Sequence, residues 1–172
     1  MTLHINKAIR ELKTKLASAT GARDRIPVLS ELLQEYLFVS ESEGARDYAD
    51  ELLSLSHQVH DTKNETAALI FLGSLDQNNG SYERALNYYS EALAIARLHE
   101  DTHGILHALN CIGSIYFMLD RYDKVLKYSF EILSLAEAAG IHTMAARACN
   151  NMARSIRPWM IMNKPGIFIL KR

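Results

Sequence analysis

His99, His103 and His107 stand four residues apart, and two such imidazoles on one helical face are the beginning of a zinc site. Against that chemistry, His99 and His103 flank an expected turn, and histidines in solvent or along a groove are the simpler reading. Cys111 and Cys149 are too few for a disulfide framework and read as small apolar residues on helices. No nucleophile is matched with a base and an orienting acid, and no glycine-rich loop could cradle phosphate. The sequence therefore implies no catalytic residue, no metal ligand and no cofactor, and it does not read as an enzyme.

The elements that must position any site are set by a repeat. Leu69, Leu72, Gly73, Tyr82, Leu86, Tyr88, Leu93 and Ala96 recur forty residues later as Leu109, Ile112, Gly113, Tyr122, Leu126, Tyr128, Leu133 and Ala136. Tyr48 and Glu51 extend the same period backwards, to Tyr88 and Tyr128 and to Glu91 and Glu131. A fixed period with alternating helix and turn signals marks a stack of helical units. Ile5, Ile9, Leu12 and Leu16 make one face of a first helix, ended by Thr20-Gly21. A second helix is expected from a cap at Asp24, with Pro27 in its first turn, to about Phe38. Ser40 with Glu43 fits a capping box before a third helix at Ala45. Further helices are expected over about 65–78, 82–99, 104–119 and onward to 139, then from His142. Gly73 and Gly113 fall where two helices of a pair would cross. Gly in a helix costs about 1 kcal/mol against Ala, so a close approach of backbones is the expected reason for both.

Within the first unit Leu72-Gly73, Tyr82, Ala85, Tyr89 and Ala92 resemble the tetratricopeptide repeat pattern, although Leu69 replaces its Trp and Asp76 its first Tyr. The second unit keeps Gly113, Tyr116 and Tyr122 but has Val125 and Ser129 where Ala and an aromatic are usual. The period of forty is similar to the longer-helix variety of the family. That resemblance implies an all-α fold, a right-handed α-solenoid of antiparallel helix pairs. It would occupy 1–156: a half repeat over 1–20, pairs over 24–60, 64–99 and 103–139, and the first helix of a broken repeat over 142–156. Residues 157–172 lose the register, and Pro158 and Pro165-Gly166 predict an irregular tail with bare apolar runs. The tail is expected to cap the array, to dock on a second copy as a homodimer contact, or to mark a shortened form of a longer protein.

In such arrays the first helices line a concave wall that takes a peptide or a partner's helix. The resemblance places Ile70, Phe71 and Ser74, then His107, Asn110, Ser114 and Phe117, then Arg147, Asn150, Asn151 and Arg154 on that wall. Asn110 and Asn150 suit a peptide amide, and the arginines favour an acidic segment. Nineteen basic against twenty acidic residues leave no global field for nucleic acid or an anionic membrane. No long apolar run predicts a membrane span, and cysteine usage with the charged N-terminus fits the cytoplasm. The functional expectation is a non-catalytic interaction module that binds a protein or peptide partner. The alternative is the sensory front of a bacterial signalling protein, such as a cyclase or kinase.

Overall fold

The computed structural model describes residues 2–37 and 44–162, and side chains over 6–37 and 44–156. Among these residues there are eight helices and no strand. They are α1 (Thr2–Ser18), α2 (Ala22–Tyr36), α3 (Ala45–Gln58), α4 (Thr62–Asn78), α5 (Tyr82–Leu98), α6 (Thr102–Met118), α7 (Tyr122–Ala138) and α8 (His142–Met162). Neighbouring helices form antiparallel pairs. No helix among the described residues is long and apolar enough to cross a membrane.

The five joints from α3 to α8 are near copies of one another. His60, Gly80, Glu100, Asp120 and Gly140 all have positive φ, between 54° and 74°. At each, two crossed backbone bonds close the helix end. Around Gly80, for example, the Ser81 amide donates to the Asp76 carbonyl at 2.8 Å and the Gly80 amide to the Gln77 carbonyl at 3.0 Å. The same pair recurs as Asp61 to Ser56 with His60 to His57, and as Asp101 to Ala96 with Glu100 to Arg97. It recurs again as Arg121 to Tyr116 with Asp120 to Phe117, and as Ile141 to Ala136 with Gly140 to Glu137. This is the double bond of a left-handed helix stop, and it satisfies carbonyls that a helix end leaves orphaned. Glycine enters that conformation without strain, whereas His60, Glu100 and Asp120 carry a Cβ into it.

The start of α2 departs from the sequence expectation. The N-cap of α2 is Gly21, with no side-chain cap bond, so Asp24 lies within the first turn and Pro27 lies inside the helix. The amide that proline lacks there is one rung of the ladder, which the helix forgoes. Asp61 does cap α4, accepting from the Asn64 amide at 3.2 Å. At the other end α8 continues through Pro158 to Met162, beyond the stop expected at 156. A proline removes a single donor, and the backbone passes it. The Ser40–Glu43 capping box, Phe38 and residues 163–172 lie outside the described residues.

The chain divides into two compact units, Met1–Ile105 and Leu106–Arg172. In the first, α1 packs on α2, α2 on α3 and α4, α3 on α4, and α4 on α5. Leu29, Leu32, Leu52 and Leu72 are essentially fully buried at its centre. Burial of such a side chain contributes about 2 kcal/mol, so this apolar stripe stabilises the pairs more than helix propensity does. In the second unit α7 packs on α8, and Ile112, Ile115, Val125, Ile132 and Ala148 are buried.

The tyrosines show how the repeat tolerates a substitution. Tyr36 stacks on Tyr48 at 6.3 Å between centroids, and Tyr116 on Tyr128 at 5.6 Å. Asp76 holds the equivalent place between those two, one period from Tyr36 and from Tyr116. It is 2% exposed, and it accepts a hydrogen bond from Arg46 of α3. Arg84 Nε of α5 stands 3.3 Å from its other oxygen, an ion pair poorly aligned for a hydrogen bond. Two guanidinium groups thus offset the cost of desolvating a carboxylate where the pattern calls for an aromatic.

Candidate partner-binding site

The wall expected from the sequence separates into two environments. In the first unit Ile70 and Phe71 are each 6% exposed, and Phe71 belongs to the hydrophobic core. They are interior and do not face solvent from the wall on which the resemblance places them. The physical reason is the length of the apolar run Leu69–Leu72: α4 is covered on more than one side and has no solvated face at this level. Ser74 is half-buried, and its hydroxyl bonds the Ile70 carbonyl at 2.9 Å and meets the Tyr89 hydroxyl at 3.2 Å. Tyr89 also donates to Gln77 at 2.9 Å and is fully buried.

The Tyr89 ring explains Gly73. A Cβ on Gly73 would lie 2.5 Å from Cε1 of that ring, closer than two carbons can approach. The close approach expected at Gly73 is therefore helix against ring. At Gly113 the expectation fails, because nothing lies within 4 Å of where a Cβ would be. The residue one period after Tyr89 is Ser129, and no ring is supplied there.

That space is a pocket. Its volume is about 400 Å³, and it is lined by Asn110, Gly113, Ser114, Phe117 and Met118 of α6, Val125 of α7, and Arg147, Asn150, Asn151 and Arg154 of α8. Seven of the residues assigned to the wall from the sequence meet here: Asn110, Ser114, Phe117, Arg147, Asn150, Asn151 and Arg154. Sequence reasoning missed Gly113, Met118 and Val125 as lining. The signal for them was the small Ser129 at an aromatic position.

Of the pocket's lining, Met118, Arg147, Asn150 and Arg154 are exposed, while Gly113 and Val125 are buried. Asn151 Nδ2 donates to Asn110 Oδ1 at 3.3 Å and so ties α8 to α6. The Arg154 guanidinium lies 4.6 Å from the centre of the Phe117 ring, a cation–π contact that holds the charge over the mouth. No carboxylate is among the lining side chains, so Arg147 and Arg154 set the sign of the site. His107 is an exposed residue one turn before Cys111 on α6. Although the residue keeps solvent access, the mass of protein packed around it, and secondarily the Arg147 charge, holds its imidazole below the usual histidine range. Cys111 and Cys149 both lie on helices, Cys111 half-buried on α6 and Cys149 exposed on α8. Among the described residues no three of His, Cys, Asp and Glu come together as a metal site would require.

With this geometry in place, comparison with known proteins supplies the family. The model of the tetratricopeptide repeat matches residues 64–138, covering α4 to α7. That segment belongs to the tetratricopeptide repeat family. Repeats of this kind generally mediate protein–protein interaction. Among solved structures, the chain is similar to a signal transduction ATPase with numerous domains (STAND) protein with a tetratricopeptide repeat sensor, from Pyrococcus horikoshii. The two share 21% identity at a TM-score of 0.76, a likeness of fold. The match covers 88% of this chain and 24% of that one, so this chain spans about a quarter of its length. No curated protein matches.

Proposed function

We propose that the chain is a non-catalytic, cytoplasmic interaction module whose second unit binds an acidic segment of a partner protein. The observation that carries this reading is the α6–α8 pocket, with Arg147 and Arg154 at its mouth, three asparagines around it and no carboxylate in its lining. Guanidinium groups bind carboxylates through charge-assisted, directional hydrogen bonds, and asparagine amides both donate to and accept from a peptide backbone. The family's general role in protein–protein interaction agrees with a surface site of this kind.

The test is capture from lysate on immobilised chain, beside a variant carrying Arg147→Glu and Arg154→Glu. A bound protein that the reversed variant releases, and that elutes as salt is raised, is the expected result. If both chains retain the same proteins with the same salt dependence, the basic pocket is not the site.

A second reading rests on the solved structure. There a tetratricopeptide sensor is part of a multidomain signalling ATPase, and this chain matches about a quarter of that length. In this reading the chain is the sensory part of a larger signalling protein. Immunodetection of the natural product in source cells decides it, since a species no heavier than 19.4 kDa would remove this reading.

A further inference from the structure

The α6–α8 pocket has the form of a vacated ring seat. In the first unit α4 presents Gly73 to the Tyr89 ring, with the Ser74 hydroxyl 3.2 Å from the phenol oxygen. In the second unit α6 presents Gly113 and Ser114 at the same two places of the repeat, and Ser129 stands where the ring would originate. The glycine that admits a ring and the serine that meets its hydroxyl are both kept, while the ring is gone. What remains is about 400 Å³ of space beside Gly113, Phe117, Met118 and Val125. Gln77, which accepts the Tyr89 hydrogen bond, is replaced one period later by Phe117, an apolar ring that already meets Tyr122 in a T-shaped contact at 5.7 Å and carries Arg154 over it.

Building on the acidic-segment reading above, we propose that this seat takes a phenylalanine or tyrosine side chain of the partner, flanked by carboxylates that Arg147 and Arg154 hold at the mouth. Aromatic anchors in desolvated pockets with a polar rim dominate the energetics of many interfaces. The charge of the rim selects the source of the ring. The chain's own last sixteen residues, 157–172, offer Trp159 and Phe168 but carry Arg157, Lys164, Lys171 and Arg172 and no acid. Such a segment meets Arg147 and Arg154 with like charge, whereas an acidic segment neutralises them.

The experiment uses the full chain and a fluorescent synthetic peptide with one phenylalanine between pairs of glutamates, followed by anisotropy. The phenylalanine peptide should bind about tenfold more tightly than the same peptide with alanine in its place. Ser129→Tyr, which restores a ring to the seat, should melt no lower than wild type and lose that discrimination. The proposal is overturned if the two peptides bind equally, or if Ser129→Tyr with an unchanged helical spectrum still prefers phenylalanine. Should Ser129→Tyr not fold, a peptide with p-benzoylphenylalanine at the aromatic position serves instead on the wild-type chain. Photocrosslinking to Phe117 or Met118 supports the seat, and crosslinking elsewhere refutes it. Equal binding of both peptides with loss of both in Arg147→Glu leaves the acidic-segment reading intact while removing the aromatic anchor. Loss of neither removes both.

Discussion

The pair α4–α5 and the pair α6–α7 are the same forty-residue design executed twice, and they differ most where Tyr89 faces Gly73 and Ser129 follows Gly113. In the first pair the ring fills the space that glycine opens, and the site is interior. In the second pair the same glycine faces open space, and the site is a pocket with charge at its mouth. One side chain thus decides whether a repeat closes on its glycine or leaves a pocket beside it. A glycine is compatible with either outcome, so its role is legible only from what stands opposite.

The comparison breaks most sharply at the ring itself. Tyr89→Ser makes the first pair resemble the second and should cost about 3–5 kcal/mol, as large-to-small changes in a core do. Denaturant titration would show a midpoint shift at unchanged slope. Next in size, Gly73→Ala should cost about 1–3 kcal/mol by overpacking, since the ring is buried and its hydroxyl is held by Ser74 and Gln77. Gly113→Ala should cost nothing and gain up to about 1 kcal/mol from helix propensity. In the background of Tyr89→Ser the penalty of Gly73→Ala should vanish, and a double-mutant cycle showing simple additivity would contradict the ring-on-glycine contact. Smaller again is the effect at the joints: Glu100→Gly should stabilise by about 1 kcal/mol, because a Cβ in the left-handed region is relieved. Calorimetry would record a higher Tm, and a lower one would mean that the Glu100 side chain contributes contacts of its own.

The smallest effect is the pH response of His107, for which the first pair has no equivalent, Ala67 standing one period earlier. Its folded pKa lies below the unfolded value of about 6.5, so the unfolded chain takes the proton first. The contribution of neutral His107 is therefore complete above that value and is lost as pH falls through the folded pKa. Tm measured from about pH 7 to pH 5 should fall less in His107→Gln than in wild type. Identical slopes would place the titrating group elsewhere.

Much of this architecture was readable from spacing. The apolar stripe and the recurrence of Tyr48, Tyr88 and Tyr128 place α3 to α7 within a few residues of their observed ends, because repeated turns and repeated faces reinforce one another. Pairwise facts were not readable in the same way. Gly73 and Gly113 look identical in sequence, and the ring that distinguishes them arrives from another helix. Ile70 and Phe71 share a register with Asn110 and Cys111, but the apolar neighbours Leu69 and Leu72 draw their whole turn inward. The helix stops at His60, Glu100 and Asp120 carry no glycine to announce them; their left-handed conformation follows from the tight link between two long, well-packed helices. The cluster of Asn110, Asn150, Asn151 and the two arginines was readable, because polar residues at a constant register on first helices have few ways to be buried.

The five left-handed stops lie at twenty-residue intervals, which gives the chain a cutting rule. Any duplication or excision of forty residues rejoins like to like and keeps every later helix at its own place in the repeat. A change of twenty rejoins just as cleanly but exchanges first and second helices, so that the α8 arginines would be carried on a helix at the second place of a pair. Splicing this molecule to enlarge or retarget its surface is therefore a matter of whole periods, and His60, Glu100 and Gly140 mark where the scissors belong.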